Sequence, residues 1–281
     1  MNELWILYSR LRTEEKLLKK AADKTGVRCN FVDLRGISWP EGLKVGDNDV
    51  VLCRCVSQAH NLAIARLLES RGVRTVNHSS VIEACGDKVF TAGLLDMAGL
   101  RQPRYSVAFS PEEAVNTSES MGFPVVFKPP VGSWGRLLSK VNDVDSAETI
   151  VEHKSFMGPQ HQTFFIQEYV EKDGYDVRAL VLGGKPITAI KRKSRHWITN
   201  TARGGNVEGI EIDQAMADVL KRVHDVFKGD LLAVDLFHDD QGWSVNEVNG
   251  QAEFHGSVEG TEVDVAGMLV DYCISLMEGS F

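Results

Sequence analysis

The sequence predicts a mixed α/β fold in which a small parallel sheet is followed by antiparallel hairpins. Three observations predict it. Over residues 3–77, short apolar runs alternate with amphipathic stretches, the rhythm of strand and crossover helix. Later strand-like runs return after tight turns, at Gly183-Gly184 and across 238–242, as hairpins do. The chain has 281 residues, 43% of them hydrophobic and 25% charged, enough for two or three small cores.

Taken in order, strands are expected at 3–9, 28–32, 49–54 and 74–77. A helix at 12–25 stops at Gly26, and one at about 57–70 stops near Gly72. Parallel strands place ligand contacts at their carboxyl ends, so Arg54 and Ser57, after the third strand, are candidates. An arginine there also reads as a surface salt bridge. Consecutive helices follow at 79–86 and 88–98, the second closed by Gly99 ahead of Pro103. Lys88 opens that helix, where the positive dipole end disfavours a cation unless an anion is bound. A solvated lysine is the plain alternative.

A strand at 104–109 leads to Ser110-Pro111-Glu112-Glu113, a helix start with a capping serine, a first-turn proline and a glutamate three residues after the cap. After Gly122 the run PVVFKPP, the loop VGSWGR and residues 137–141 read as strand, glycine turn and strand. The loop fits neither the Walker nor the dinucleotide fingerprint. Lys128 before it and Arg136 at its end nevertheless allow backbone N–H groups and cations to converge on phosphate oxygens. A helix at 145–154 and a strand at 163–170 follow. Strands at 175–182 and 186–191 then form a hairpin carrying Asp176 and Arg178 on one face. Residues 199–206 read as a polar, glycine-bearing loop, and helices at 214–227 and 263–277 complete the chain.

The hairpin of 231–237 and 243–249 is the strongest candidate site. Alternation points Glu247 and Asn249 to one face and Asn246 and Val248 to the other. Antiparallel pairing would bring Asp235 beside Glu247 and Asn249, a hard oxygen set suited to Mg²⁺. The same hairpin also reads as an edge pair with a solvated acidic face.

A formal net charge of -8 argues against a polyanion such as DNA as partner. The N-terminus lacks the pattern of a signal peptide, and no apolar run approaches the ~20 residues of a membrane span. Cys29, Cys53, Cys55, Cys85 and Cys273 contain no CxxC pair, so free thiols in a reducing cytoplasm are expected rather than zinc or disulfides. The basic run Lys191-Arg192-Lys193-Ser194-Arg195, with Arg203, would give an acidic partner an electropositive approach, Lys193 and Arg195 facing outward; a solvated basic face is the alternative.

Seven segments stand in order along the chain: CVSQ (55–58), EACGDK (83–88), KPPVGSWGRLL (128–138), IQEYVEK (166–172), HWITNTARGG (196–205), AVDLF (233–237) and VNEVN (245–249). With these segments the chain resembles the ATP-grasp superfamily of carboxylate–amine ligases over essentially its whole length. Within it the chain is most similar to the branch of ribosomal-protein glutamate ligases and, there, to the LysX/ArgX type. That type joins an amino acid to a small acidic amino-group carrier protein in lysine or arginine biosynthesis.

The resemblance implies a three-domain ATP-grasp architecture. Residues 1–87 would form an N-terminal domain, 88–172 a central domain with the glycine loop as lid, and 173–281 a C-terminal domain. ATP would lie between the last two. It implies that Lys88 and Lys128 hold phosphates under the loop Gly132, Ser133, Trp134, Gly135 and Arg136. Gln167, Glu168, Tyr169 and Val170 would face adenine, with Glu168 accepting from its exocyclic amine, and Asp176 would lie near the ribose. Two Mg²⁺ ions would sit on Asp235, Glu247 and Asn249. Arg192, assisted by Arg203 or Asn206, would stabilise the transferring phosphoryl group. Substrate contacts would come from Arg54 and Ser57, from His196, Trp197 and Asn200, and from Gly250, Glu253 and Phe254 in the loop that reads the amino acid.

The implied reaction joins the amino group of α-aminoadipate or glutamate to the carrier's C-terminal glutamate through an acyl phosphate, in a dimeric or tetrameric cytoplasmic enzyme. One methylene separates the two amino acids, worth only ~1–3 kcal/mol in a pocket. The alternatives are a ligase adding glutamate to another protein C-terminus, a peptide or a cofactor, and a nucleotide-binding regulator without catalysis. Retention of Lys88, Lys128, Arg192, Asp235, Glu247 and Asn249 argues against the regulator.

Overall fold

A computed structural model describes residues 2–132, 135–194, 196–199 and 206–279. Three sheets carry the fold. The first joins β1 (Leu4–Tyr8), β2 (Cys29–Asp33), β3 (Val50–Arg54) and β4 (Arg74–Val76) in the order β2-β1-β3-β4, all parallel. Both faces are covered, which is why its strands read as near-continuous apolar runs. Leu4, Ile6, Val50 and Leu52 pack with Leu18 of α1 (Thr13–Thr25) and with Leu269, Val270 and Cys273 of α9 (Val265–Met277). Leu7, Val51 and Cys53 meet Ile64 and Leu68 of α2 (Gln58–Glu69) on the other side. The last helix of the chain thus closes the first sheet.

The second sheet, β5-β8-β6-β7, is antiparallel and contains β5 (Tyr105–Ala108), β6 (Val125–Lys128), β7 (Ser139–Val141) and β8 (Phe164–Glu168). Helices α5 (Pro111–Met121) and α6 (Val144–Phe156) bury Ala114, Ala147 and Val151 against Phe127, Phe164 and Ile166. Ser110 caps α5 as the sequence predicts, its hydroxyl accepting from Glu113 N at 3.2 Å. Helices α3 (Ser79–Gly86) and α4 (Lys88–Met97) lead into this sheet and meet at Asp87, whose carboxylate accepts from Val89 N and Phe90 N.

The largest sheet runs β11-β10-β9-β12-β13 and is antiparallel throughout. Its strands are β9 (Tyr175–Leu182), β10 (Lys185–Lys193), β11 (Asn206–Ile210), β12 (Leu231–Asp239) and β13 (Gly242–Asn249). Met216, Leu220, Val223 and Phe227 of α7 (Gln214–Phe227) bury one face.

Two elements depart from the sequence reading. Strand β11 begins at the end of what reads as a loop, because an edge strand needs no apolar alternation. Helix α8 (His255–Thr261) is hidden by its glycines. A Cβ on Gly209 of β11 would lie 2.7 Å from the Gly260 carbonyl oxygen, so backbone packs directly on backbone where α8 crosses the sheet edge. Among the described residues no helix is long and apolar enough to cross a membrane, and all five cysteines are free.

Candidate active site

The register of the largest sheet assembles two neighbouring rows of charged residues. Arg192 on β10 lies opposite Asp176 on β9, Arg178 on β9 opposite Asp235 on β12, and Asp235 opposite Glu247 on β13. Arg192 donates from Nε and Nη2 to the two Asp176 oxygens at 2.7 and 2.8 Å, and its Nη2 also lies 3.1 Å from Asp235 Oδ2. Arg178 forks onto Asp235 in the same way, at 2.7 and 2.8 Å. Thr199 donates to Asp176 and accepts from Lys172 Nζ at 2.8 Å.

Burial alone would raise the Asp235 carboxyl, but Arg178 and Arg192 outweigh it and hold the group below the usual carboxylate range. Burial likewise works against the Arg192 cation, and Asp235 and Asp176 overcome it, so its pKa is raised. Both groups stay charged although almost no solvent reaches them.

The lysines face these rows from the second sheet and from α4. Lys88 Nζ donates to Gly132 O at 2.8 Å and stands 3.2 Å from Glu247, so the first-turn lysine is engaged rather than solvated. Lys128, the last residue of β6, is buried and donates to a neutral acceptor, Asn246 Oδ1, at 3.0 Å. Desolvation dominates there and depresses its pKa to about 8, with Lys88 and Lys172 reinforcing the effect against Glu247.

Asn246 reaches the cleft because alternation fails in β13. The pairing shifts between Asp235 and Leu236, so Glu247 opposes Asp235 while Val245 opposes Leu236, and Asn246 is the extra residue of a bulge. Asn246, Glu247 and Asn249 consequently all line the cleft, which corrects the expectation that Asn246 points away. Among the described residues no third carboxylate, histidine or cysteine completes a metal-binding group, so the hard donors are Asp235, Glu247 and the Asn249 amide. That set fits Mg²⁺: all three can offer oxygen, and Asp235 keeps lone-pair capacity beyond its two arginines.

The first sheet closes the far end of the cleft. Arg54 terminates β3, where it is 3% exposed, and donates from Nη1 to Ala252 O at 2.8 Å and from Nε to Glu15 at 3.3 Å. Arg12 bridges Glu15 and Glu253 at 2.8 and 2.9 Å. His255 joins Glu14 at 2.7 Å, a contact that raises the imidazole pKa.

The structure brings most of the predicted residues together. Lys88, Lys128, Gly132, Gly135, Arg136, Gln167, Glu168, Tyr169, Val170 and Asp176 line one cleft with Arg192, Asp235, Glu247 and Asn249. Arg54, Trp197, Gly250 and Glu253 line it as well. Four predicted residues lie elsewhere. Ser57 is spent capping α2, and His196 accepts from Ile198 N and stacks on Trp197. Phe254 is fully buried beneath the Arg54 guanidinium, and Asn206 opens the exposed edge strand. Ser133, Trp134, Asn200 and Arg203 fall outside the described residues, as does Arg195.

Two expectations meet prior engagements. Both Glu168 oxygens already accept from Arg104, from its N and Nε at 2.8 Å each. Lys193 pairs with Glu208 of β11 rather than standing free, and Lys191 lies over the Tyr175 ring. The residues of the cleft wall to which sequence reasoning gave no role of their own are Arg12, Gln58, Lys172, Arg178, Asn246 and Gln251. Arg178, two residues from Asp176 on one strand face, was detectable by spacing; Asn246 was not, because a bulge leaves no local signature.

The model of the RimK-like ATP-grasp domain matches residues 85–273, and that of the LysX preATP-grasp domain matches residues 4–84. The chain belongs to the RimK-like ATP-grasp family. Among curated relatives of this ATP-grasp chain, the glutamate–LysW ligase ArgX of Sulfurisphaera tokodaii is 35% identical, over 93% of this chain and 94% of the relative. The α-aminoadipate–LysW ligase LysX of the same organism is 33% identical over 95% and 96%. The crystal structure of a RimK domain ATP-grasp protein from Sphaerobacter thermophilus superposes with a TM-score of 0.82 at 26% identity, covering 96% of this chain and 98% of that one. The fold and the class of carboxylate–amine ligase follow from these matches.

Proposed function

We infer that this ATP-grasp ligase joins the amino group of a dicarboxylic α-amino acid, glutamate or α-aminoadipate, to the C-terminal glutamate carboxylate of a small acidic carrier protein. The observation that carries the reading is the meeting of Lys88, Lys128 and Arg192 with Asp235, Glu247 and Asn249 in one cleft. The names of the relatives supply the substrates. The free thiols suit a reducing cytoplasm.

A carboxylate is a poor electrophile, and phosphorylation turns it into an acyl phosphate with a good leaving group, which the amine then displaces. The chain contributes position and charge to this. Lys88 and Lys128 receive phosphate oxygens, and the charge on Lys128, whose hydrogen bond goes to a neutral amide, makes an anion welcome there. Arg192, held rigid by two carboxylates, offers fixed N–H donors to the charge that develops on the transferring group. Asp235, Glu247 and Asn249 would hold Mg²⁺, which supplies charge neutralisation between phosphates. No nucleophile of the protein is needed: burial holds the cleft-lining thiols Cys55 and Cys85 protonated, the first at a pKa of about 11.

The test is ADP release with glutamate or α-aminoadipate, each with and without a purified acidic carrier protein ending in glutamate. Release that requires both substrates is expected. ADP formation indifferent to the carrier would overturn the reading and favour a small-molecule or different protein acceptor.

A further inference from the structure

Helix α1 sorts its charges by direction. Its two glutamates face the fold: Glu15, fully buried, meets Arg12 and Arg54, and the buried Glu14 joins His255. Its lysines and Asp23 face out and are exposed. Lys19 is engaged there, 3.3 Å from Asp23 and over the Phe31 ring of β2. Lys16, Lys20 and Lys24 have no ion pair among the described residues.

A spacing of four residues puts these three on one side of the helix, spread over about 12 Å. Like charges at that spacing repel one another. A chain with a formal net charge of -8 thus carries a basic stripe that forms no ion pair within the fold.

The stripe begins at the cleft. Arg12, the residue that opens α1, lines the cleft wall and bridges Glu15 and Glu253. The three lysines therefore lead outward from the rim where the first sheet closes the cleft. A protein substrate that reacts through its C-terminus sends only its last residues inside, and its body rests on the rim. The other basic stretch, on β10, is less open to such a body, because Lys193 pairs with Glu208 and Lys191 lies over Tyr175.

We propose that the outer face of α1, through Lys16, Lys20 and Lys24, is the docking surface for the acidic carrier protein. The inference rests on the ligase reading above, which supplies an acidic partner. An acidic body laid along the stripe replaces repulsion among the lysines by attraction. On an otherwise negative surface, the stripe also orients the encounter.

The test compares two double charge reversals. Lys16→Glu with Lys20→Glu inverts the stripe, and Lys185→Glu with Lys221→Glu changes the net charge equally at two exposed residues that do not line the cleft. In ADP-release assays at low salt the α1 variant is expected to raise the carrier KM by roughly tenfold. At high salt the rise should shrink to less than about twofold, since the Debye length falls from about 30 Å at 0.01 M to about 3 Å at 1 M. The KM values of ATP and the amino acid should not move, and the control pair should leave the carrier KM within about twofold. If the reversal lowers the melting temperature, Lys16→Gln with Lys20→Gln carries the same test with a smaller rise. Direct titration with a purified acidic carrier protein ending in glutamate needs no turnover. Should no amino acid support ADP release while the α1 variant still loses carrier affinity at low salt, the ligase reading fails and the docking surface stands. An unchanged carrier KM, a rise matched by the control pair, or a rise that persists at high salt overturns the proposal.

Discussion

Arg192 and Lys128 are both buried cations in one cleft, 4% and 9% exposed, and the fold holds them in opposite ways. Arg192 has two carboxylates within 3.1 Å, and its charge is locked in. Lys128 has a neutral amide at 3.0 Å, and burial has pulled its pKa to about 8. The first is a finished structural element that also faces the chemistry. The second is a desolvated charge held by a neutral amide, to which an anion could add a counter-charge. Burial alone therefore does not say what a charged residue does; its partners do.

The comparison predicts unequal responses to mutation. Asp235→Ala should have the largest effect, leaving the buried Arg192 and the partly buried Arg178 with too few partners, at a cost of ~3–5 kcal/mol in unfolding free energy. Urea denaturation measures it, and a loss below about 1 kcal/mol would mean that the charged rows are not what hold Arg192. Glu247→Gln and Asn249→Ala should bring ATP turnover at limiting Mg²⁺ to background while the unfolding transition stays in place. Wild-type turnover in either would remove it from the metal set.

Lys128→Met should invert the Asp235 pattern. Nucleotide Kd by titration calorimetry is expected to rise by ~10–100-fold, the worth of a charge-assisted hydrogen bond. Stability should hold or increase, because methionine removes a desolvated charge. Unchanged nucleotide affinity would make Lys128 a merely structural residue.

The pH dependence sharpens the same contrast. The folded pKa of Lys128, about 8, lies below its unfolded value, so between the two the unfolded chain binds more protons and stability rises with pH. Wild type should therefore gain roughly 1 kcal/mol on Lys128→Met between pH 7.5 and 9, the burial penalty being fully present below pH 8. A constant difference would mean that Lys128 titrates normally. The smallest effect is expected from Lys193→Glu, since this half-exposed residue pairs with Glu208 alone among the described residues. Its melting temperature should not move, and a carrier KM raised at low salt but not at high salt would show that the strand edge steers an acidic partner.

The sequence by itself determined the order of the strands and helices apart from β11 and α8, and it named most of the charged residues that line the cleft. Lys88, Lys128, Arg192, Asp235, Glu247 and Asn249 sit at strand ends, helix starts and alternate strand positions, where local rules of direction apply. Helices α3 and α7 and strand β9 begin and end where cap residues and glycine turns put them. What the tertiary structure alone decided were features that depend on contact between distant segments. A bulge against Asp235 turned Asn246 into the cleft, and pairing with β10 made a strand of polar residues. The grip of Arg54 on the Ala252 carbonyl, 198 residues away, ties the end of β3 to the loop after β13. Periodicity reports which way a side chain leaves its own backbone; which partner it meets, and whether its hydrogen bonds are filled, is set by register and burial that no local pattern encodes.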